Sequence, residues 1–503
     1  MTTSENPHTV EKSIVILGGG TAGWMAANLL QHHLAQHGFK ISLVESPDIG
    51  IIGVGEGSTP QMKQFFNTLG ISEQEWMSKC HATFKNGIKF QGWSSNIGFQ
   101  DYFHPFASFP DKQTAGGFLV NCLLRRQGHD VDAHPDQYFL SAYLAKNGLS
   151  PKTQANFPVA INYAYHFDSA KLGNYLQYLA TDKGVKHIQS KIQQVQTHPS
   201  GDIKCLVGDK GEEICADWFI DCSGFSSVLL QKTLGVEFVS FADNLFNDSA
   251  VAIPSTKTTP LPVQTVAQAL SSGWSWEIPL TNRIGNGYVY SSRYINAEEA
   301  ETELRQKLNI LDADVPVRHL NMRIGRVAKH WYKNCLAVGL SQGFIEPLEA
   351  TALHLVQETI ESFISAFQSG GFTEKHQNEF NQRINHRFDG IRDYIVCHYK
   401  MNTRTDTAYW LDNAANQHIS ASLSHIIECW QRGADLTAEI ERQNIAHYYP
   451  AVSWHCLLAG YGQFPVLGAK QPASHQVNQQ EISHFIQQCA KGFIPHQQAL
   501  KLE

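Results

Sequence analysis

The first pattern that predicts local structure is an apolar run followed by glycines. Ser13–Leu17 has the sequence Ser-Ile-Val-Ile-Leu, which predicts a buried parallel strand because β-branched residues occupy most of it. Gly18, Gly20 and Gly23 follow in the G-x-G-x-x-G spacing, which permits a tight turn and a close approach of the backbone to a pyrophosphate. Apolar residues at helical spacing then predict a helix over 22–37.

A second predicted strand, 39–44, ends at Glu45. This acid follows the glycines by about twenty residues, where dinucleotide-binding folds place a ribose-binding carboxylate. The start of the intervening helix, at Thr21 and Ala22, offers free N–H groups to phosphate. The glycine motif alone would also fit an ordinary structural turn. Strand, turn, helix, strand and acid together predict a dinucleotide site.

Two later segments are predicted to return to the same ligand. Residues 49–57 interleave glycines with isoleucine and valine, which favours a loop laid against a ligand. In residues 334–351 a short apolar strand and a glycine turn precede Pro347, which suits the start of a helix. Glu349 and the N–H groups of Thr351 and Ala352 are therefore expected in its first turn, as an anion site beside a carboxylate.

The middle of the chain leaves alternatives open. The aromatic stretch 90–109, which includes His104 and Phe106, fits either a core or the wall of a pocket for a flat substrate. Strands predicted over 274–280 and 287–292 form an antiparallel pair. Alternation places Trp274 and Trp276 on one face, which by itself indicates only core.

Composition restricts the class of protein. The chain has 503 residues, 42% of them hydrophobic and 17% charged, with a net charge of -7. These values are typical of a folded globular protein without a basic nucleic-acid footprint. No apolar run is long enough to span a bilayer, and the polar residues 1–11 predict no secretion signal. The ten cysteines form no C-x-x-C pair, so we expect a cytoplasmic, reduced protein without a bound metal or a membrane partner.

Taken together, these motifs resemble the tryptophan halogenase family of flavin-dependent halogenases over nearly the whole chain. The resemblance rests on Gly18–Trp24 (Gly-Gly-Gly-Thr-Ala-Gly-Trp), Gly53–Glu56 (Gly-Val-Gly-Glu), Phe84-Lys85, Trp274–Pro279 (Trp-x-Trp-x-Ile-Pro) and Glu346–Glu349 (Glu-Pro-Leu-Glu). The segment with two tryptophans is the most specific, because it separates halogenases from monooxygenases that share the flavin fold.

The resemblance implies an α/β fold. A Rossmann-like FAD-binding domain of the flavin monooxygenase type, with an antiparallel substrate-side sheet, would span 1–376. A helical C-terminal subdomain, 377–503, would cover the substrate pocket. FAD would contact Gly55, Glu56, Leu340 and Leu353 besides the first glycine turn and Glu45.

The implied reaction begins with FADH2 supplied by a separate flavin reductase. FADH2, oxygen and chloride or bromide would give hypohalous acid, with the halide held at Thr351 and Ala352. The acid would pass to Lys85 and halogenate a small, electron-rich, indole-like aromatic, with Glu349 polarising the halogen or taking the proton. Trp274 and Trp276 would keep the organic substrate away from the flavin. A homodimer is a further expectation.

The resemblance also locates the substrate. His104 and Phe106 match residues that pack around an indole ring, and Trp454 is a further candidate for stacking on it. Family members specific for tryptophan usually have Glu-Ser-Thr-Gly where this chain has Glu349-Ala350-Thr351-Ala352. The missing serine side chain favours an indole-like substrate other than free tryptophan.

Two alternatives remain at the level of the sequence. An FAD-dependent aromatic hydroxylase would use the same cofactor and oxygen, but it would not need the segment with two tryptophans. A flavin-binding sensor or scaffold would need neither Lys85 nor Glu349. A hydroxylated product in place of a halogenated one would indicate the hydroxylase. Flavin binding without turnover would indicate the sensor or scaffold.

Overall fold

The computed structural model describes residues 12–48, 50, 55–465 and 477–501. Ile49 and Ile51–Val54 of the second glycine-rich segment lie outside the described residues. Among the residues described, no helix combines the length and the apolar character needed to cross a membrane.

The strands, in chain order, are β1 (Lys12–Leu17), β2 (Phe39–Glu45), β3 (Gly55–Gly57), β4 (Thr83–Lys85), β5 (Gly87–Gln91), β6 (Asp101–Pro105), β7 (Leu149–Thr153), β8 (Ala164–Asp168), β9 (Lys186–Gln189), β10 (Ile192–Thr197), β11 (Ile203–Gly208), β12 (Glu213–Cys215), β13 (Trp218–Asp221), β14 (Phe238–Ser240), β15 (Ser249–Ser255), β16 (Thr265–Leu270), β17 (Gly273–Pro279), β18 (Ile284–Tyr290), β19 (Arg318–Asn321), β20 (Gly325–Val327), β21 (Trp331–Tyr332), β22 (Cys335–Ala337), β23 (Gly343–Phe344) and β24 (Phe493–Pro495).

The α-helices are α1 (Thr21–Leu34), α2 (Gln61–Leu69), α3 (Glu73–Lys79), α4 (Ala115–Arg126), α5 (Leu140–Lys146), α6 (Ser169–Asp182), α7 (Ala297–Lys307), α8 (Ala352–Ser369), α9 (Gln377–Lys400), α10 (Ala408–Ala415), α11 (Ala421–Gln431), α12 (Leu436–Arg442), α13 (Ala451–Gly460), α14 (Gln479–Ala490) and α15 (His496–Ala499).

The first sheet has the strand order β21-β22-β13-β1-β2-β9. β1 pairs in parallel with both β2 and β13, and β22 and β9 extend the parallel part. The chain returns to its first sheet after residue 217, where β13 becomes the direct neighbour of β1. The carboxyl ends of these strands therefore meet at one edge, where a doubly wound fold binds its ligand.

A second, seven-stranded sheet has the order β19-β15-β18-β17-β16-β5-β6. Its strands pair antiparallel except for the parallel pair of β16 with β5. A small sheet has the strand order β3-β8-β4. In the chain, β3 follows β2 of the first sheet and β4 precedes β5 of the second. Lys85 is the last residue of β4. The α/β class and the antiparallel second sheet agree with the expectation from the sequence.

The helices from α9 onward pack on this sheet framework. The largest hydrophobic core joins side chains on both sides of residue 376, including Ile14 of β1 and Ile384 of α9. α1 packs against α6 and α8, and α8 against α9. The helical part therefore shares one core with the sheets.

One expectation about the cysteines is wrong. Cys205 on β11 and Cys215 on β12 are directly paired across antiparallel strands and form a disulfide. Their separation of 10 residues does not match a C-x-x-C motif. Only the hairpin places the two side chains opposite each other.

Candidate functional site

The glycine turn after β1 leaves an open space in front of a helix start. A methyl group at Gly18 would lie 2.2 Å from the carbonyl oxygen of Cys222, and one at Gly23 would lie 1.9 Å from that of Gly18. These two glycines are required by packing. Gly20, at the N-cap of α1, has nothing within 4 Å of its Cβ position, and no side chain caps the helix. The free N–H groups at Thr21 and Ala22 fit a pyrophosphate.

Glu45 lies against this turn. A methyl group at Gly19 would collide with its carboxylate, so the acid lies directly over the glycine backbone. His187 of β9 contacts Glu45 through Nε2, at 2.6 Å from Oε1. The sequence analysis missed His187, because β9 joins the sheet 142 residues later in the chain. The arrangement fits a ribose-binding carboxylate that is oriented by a second residue.

The other residues predicted to contact FAD converge on the same region. A methyl group at Gly339 would lie 2.8 Å from the Cβ of Ala22, so the turn that carries Leu340 touches the start of α1. Leu353 is half-buried in the first turn of α8, which packs on α1. The structure brings these two segments to the glycine turn.

Gly55 and Glu56 lie on β3, while Gly53 and Val54 of the same motif lie outside the described residues. A methyl group at Gly55 would lie 3.2 Å from Ile278 of the segment with two tryptophans. Burial raises the pKa of Glu56 to about 7, opposed by a hydrogen bond with Ser169. Two motifs that are over 200 residues apart in the chain therefore meet.

Lys85 is fully buried. Its ammonium donates a hydrogen bond to the carbonyl oxygen of Ser58 at 3.2 Å and lies 5.7 Å from the ring centroid of Phe106. Burial lowers the pKa of Lys85 to about 7, against the opposing effect of the Glu349 carboxylate. Lys85 is therefore a buried amine whose charged form is disfavoured by its surroundings, not a solvated surface charge.

Glu349 is 6% exposed. Burial raises its pKa, while His104 and Lys85 act in the opposite direction. A carboxyl group kept out of water beside a lysine whose pKa is lowered is typical of a site for proton transfer. Lys85 and Glu349 come from segments 264 residues apart, so only the fold makes them neighbours.

Glu349 does not lie in the first turn of a helix, and that prediction is wrong. α8 begins at Ala352 with Thr351 at its N-cap, and its first turn contains no acid. Ala350 has a positive φ of 56°, which is incompatible with a right-handed helix. The chain turns at 347–350, where the Ala350 N–H bonds to the carbonyl oxygen of Pro347 at 3.0 Å. The N–H groups of Thr351 and Ala352 still adjoin an uncapped helix start.

The sequence analysis missed a buried pair of residues behind Glu349. His398 of α9 is fully buried, and its Nε2 lies 2.9 Å from Oε1 of Glu349. Its Nδ1 lies 2.7 Å from the hydroxyl oxygen of Tyr461. Burial lowers the pKa of His398 well below its usual value, so a neutral ring orients the carboxylate. Nothing in the local sequence around His398 indicated this contact.

Aromatic side chains surround the predicted substrate position. His104 is buried, its Nδ1 has no hydrogen-bond partner among the described residues, and Phe106 is half-buried beside Lys85. Trp454 is buried as well, but its contact with His104 runs through Tyr394, whose ring lies 6.2 Å from His104 and 4.7 Å from Trp454. Tyr449 stacks on Tyr394 at 3.6 Å. The sequence analysis missed both tyrosines.

Trp274 and Trp276 lie on one face of β17, with ring centroids 6.2 Å apart. A methyl group at Gly287 of the neighbouring strand would collide with the ring of Trp276, so this glycine makes room for the indole. Trp274 donates from Nε1 to the buried Glu346 at 2.8 Å. Burial raises the pKa of Glu346, which also accepts hydrogen bonds from Tyr399 and Asn247. Trp274 is therefore anchored by Glu346, whereas Nε1 of Trp276 has no hydrogen-bond partner among the described residues.

Known proteins share this architecture. The model of the family described as "Tryptophan halogenase" matches residues 13–478. The 7-chloro-L-tryptophan 6-halogenase KtzR of Kutzneria sp. is 37% identical, covering 89% of this chain and 90% of the relative. The crystal structure of a tryptophan 6-halogenase, SttH, from Streptomyces toxytricini has a TM-score of 0.85 and 33% identity, covering 98% of this chain and 99% of that one.

A third similar protein is Xcc4156, a flavin-dependent halogenase from Xanthomonas campestris. Its structure has a TM-score of 0.83 and 33% identity, covering 97% of this chain and 98% of that one. The family match spans both the glycine turn and the Lys85–Glu349 region. This chain therefore belongs to the tryptophan halogenase family and is a flavin-dependent halogenase, an oxidoreductase.

Proposed function

We propose that this halogenase uses FADH2, oxygen and a halide to make hypohalous acid, and that Lys85 and Glu349 direct this acid onto an indole-like aromatic. The observation that carries the proposal is that folding brings a buried lysine and a buried glutamate into one region: the Lys85 nitrogen and Ala350, which follows Glu349, border the same space at Gly57. Burial lowers the pKa of Lys85 and raises that of Glu349. Such opposed shifts are how a site keeps an acid and a base available near neutral pH.

FAD would be held by the uncapped start of α1, the glycine turn at Gly18–Gly23 and Glu45. Bound FAD in its reduced form, supplied by a separate flavin reductase, would provide the electrons that convert oxygen and halide into hypohalous acid. The uncapped N–H groups at Thr351 and Ala352 would hold chloride or bromide, since a helix start favours anions. Trp274 and Trp276 would exclude organic substrate from the flavin.

Lys85 would hold hypohalous acid by a hydrogen bond from its ammonium to the acid's oxygen. Glu349 would accept the proton that the substrate ring loses when carbon–halogen bond formation is complete. His104 and Phe106 would orient that ring, because their faces adjoin Lys85 and Glu349. These residues supply binding, orientation and a base, which is the part of the reaction that the protein controls.

An uncharged indole is favoured over free tryptophan. A cavity of about 140 Å³ is lined by Tyr449, Trp454 and charged side chains, and these charges are already paired. Asp389 accepts two hydrogen bonds from Arg326, at 3.0 and 3.1 Å, and Asp393 is paired with Arg392 at 2.9 Å. Among the described residues of this cavity, these ion pairs leave no free charge for an α-ammonium or α-carboxylate. Binding an amino acid there would require breaking a pair.

The test supplies the purified protein with FAD, a flavin reductase, NADH and either bromide or chloride. Indole, a phenol and L-tryptophan are compared as substrates, with products identified by mass spectrometry. We expect halogenated indole at a higher kcat/KM than halogenated tryptophan. A hydroxylated product in place of a halogenated one would refute the proposed reaction, and a preference for tryptophan would refute the substrate class alone.

A further inference from the structure

A second chain of hydrogen bonds, through Thr83, His166 and Thr265, lies beside Lys85. The register of the small sheet places Gly57, His166 and Thr83 opposite one another on β3, β8 and β4. Lys85 follows Thr83 by two residues, so both side chains lie on the same face of β4. Thr265, at the start of β16, completes the group through its hydroxyl, 2.9 Å from Nε2 of His166.

The positions of the hydrogen atoms follow from donor counting. Thr83 has one hydroxyl proton, which it donates to the carbonyl oxygen of Pro279 at 2.6 Å. Its 3.0 Å contact with Nδ1 of His166 must therefore be an N–H donating to the Thr83 oxygen. His166 is fully buried, and burial lowers its pKa well below the usual value. The ring is neutral, its Nε2 carries no proton, and that nitrogen must accept the proton of Thr265.

Thr265 is consequently left as an acceptor. The Thr265 hydroxyl donates its only proton to His166. Its oxygen can therefore form further hydrogen bonds only by accepting, through its lone pairs. A methyl group at Gly57 would lie 3.4 Å from this oxygen, 3.2 Å from the Lys85 nitrogen and 3.7 Å from the Cβ of Ala350. Among the described residues, Lys85 makes one hydrogen bond, to Ser58. An acceptor and an incompletely bonded amine therefore border one small space, which exists because residue 57 is glycine.

We infer that Thr265 binds hypohalous acid at this space, accepting the O–H of the acid while the Lys85 ammonium donates to the acid's oxygen. The inference rests on the proposed function and adds a residue to it. Hypohalous acid has one proton to donate and one oxygen that accepts, which matches the pair. The hypohalite anion has no proton to donate, so the lone pairs of Thr265 select the neutral acid. His166 and Thr83 are positioning residues, because they act through Thr265.

The test compares Thr265→Val, which removes the hydroxyl at nearly constant size, with Thr265→Ser, which keeps it. FADH2 oxidation, brominated indole and free hypobromous acid, captured by a water-soluble scavenger, are measured in the same reactions. We expect Thr265→Val to oxidise FADH2 at the parental rate and to lose product about tenfold, the effect of one hydrogen bond. Scavenged oxidant should rise in compensation, and Thr265→Ser should restore the product.

Gly57→Ala supplies an independent variant, because it fills the space without touching the hydroxyl; φ at residue 57 is not in the left-handed region. It should show the same shift from product to scavenged oxidant. Thr114→Val is the matched control: Thr114 is buried and donates to the carbonyl oxygen of Tyr138 at 2.5 Å, and it belongs to no predicted site. A parental ratio of product to scavenged oxidant in folded Thr265→Val would overturn the inference alone. Failure of the parental enzyme to halogenate any substrate would overturn the proposed function, and this inference with it.

Discussion

Two neighbouring regions of this molecule, which we call the flavin end and the transfer end, are built on different principles. At the flavin end, the phosphate and ribose contacts predicted for FAD come from one continuous segment, from β1 through the glycine turn and α1 to Glu45, and folding adds the segments that carry Glu56, Leu340 and Leu353. At the transfer end, Lys85, Glu349, His398 and Thr265 come from four elements, β4, the turn before α8, α9 and β16. The centre of the first region is therefore one continuous segment, whereas every group of the second is brought together by folding.

The difference extends to their electrostatics. The phosphate contact proposed at the flavin end uses free N–H groups, because a helix start carries its own partial charge. The transfer end depends on burial, which moves the pKa of Lys85 down to about 7 and that of Glu349 up. A change at the flavin end should therefore stop every step. A change at the transfer end should separate flavin oxidation from halogenation.

The largest effect is expected at Gly20. Gly20→Leu points a side chain into the open space in front of α1, where φ of -73° accepts any residue. We expect a folded protein whose FAD affinity falls at least about a hundredfold, since the side chain displaces the pyrophosphate. Isothermal titration calorimetry with FAD measures this. Gly116→Leu in α4 is the control, because Gly116 also has nothing within 4 Å of its Cβ position and no positive φ, and unchanged FAD affinity in folded Gly20→Leu would exclude the predicted site.

Lys85→Ala should separate flavin oxidation from halogenation. Flavin oxidation should continue at the parental rate, because the glycine turn and α1 are untouched, while enzyme-dependent halogenated product disappears. Oxygen consumption and product are measured in one reaction. Lys152→Ala controls for the loss of a lysine near the same strand, since Lys152 lies 5.4 Å from the ring of Phe84. Substantial halogenation by Lys85→Ala would remove Lys85 from the proposal.

Glu349→Gln preserves size and removes the negative charge. If Glu349 accepts the substrate's proton, turnover should fall about 10²–10⁴-fold, as for loss of a general base. FAD affinity should not change. Glu361→Gln in α8 is the matched control, because burial also raises the pKa of Glu361 but that residue belongs to no predicted site. Parental bromination of indole by Glu349→Gln would leave Glu349 with a structural role.

The smallest effect is on stability. The pKa of Lys85 is about 7 in the folded protein and near 10.5 in the unfolded chain. Between these values the unfolded state binds the additional proton, so the free energy of unfolding should rise with pH from about 7 to about 10. Lys85→Met removes this contribution. Urea unfolding of both proteins at pH 7 and 9.5 should show the parent gaining stability relative to the variant. Parallel pH profiles would mean that Lys85 keeps an ordinary pKa.

Much of the fold could be predicted from the sequence, because its signals are local. The run before Gly18, the spacing of the three glycines and the acid at Glu45 each depend on neighbours within about thirty residues. The same holds for Trp274 and Trp276, whose shared face follows from strand alternation. The prediction at Glu349 was wrong because Pro347 is only one signal for a helix start. Alanine normally has a negative φ, so the residue type at position 350 does not indicate the positive φ that the structure shows.

The sequence by itself determined the flavin-type α/β framework, the first strand–turn–helix–strand unit and the identity of the candidate residues. Backbone geometry and apolar spacing determine these features, and both are properties of short segments. Only the tertiary structure decided that Lys85 and Glu349 are buried together, that His398 contacts Glu349 and that His166 directs the proton of Thr265. Burial and hydrogen-bond direction depend on segments that are distant in the chain, so no local pattern encodes them.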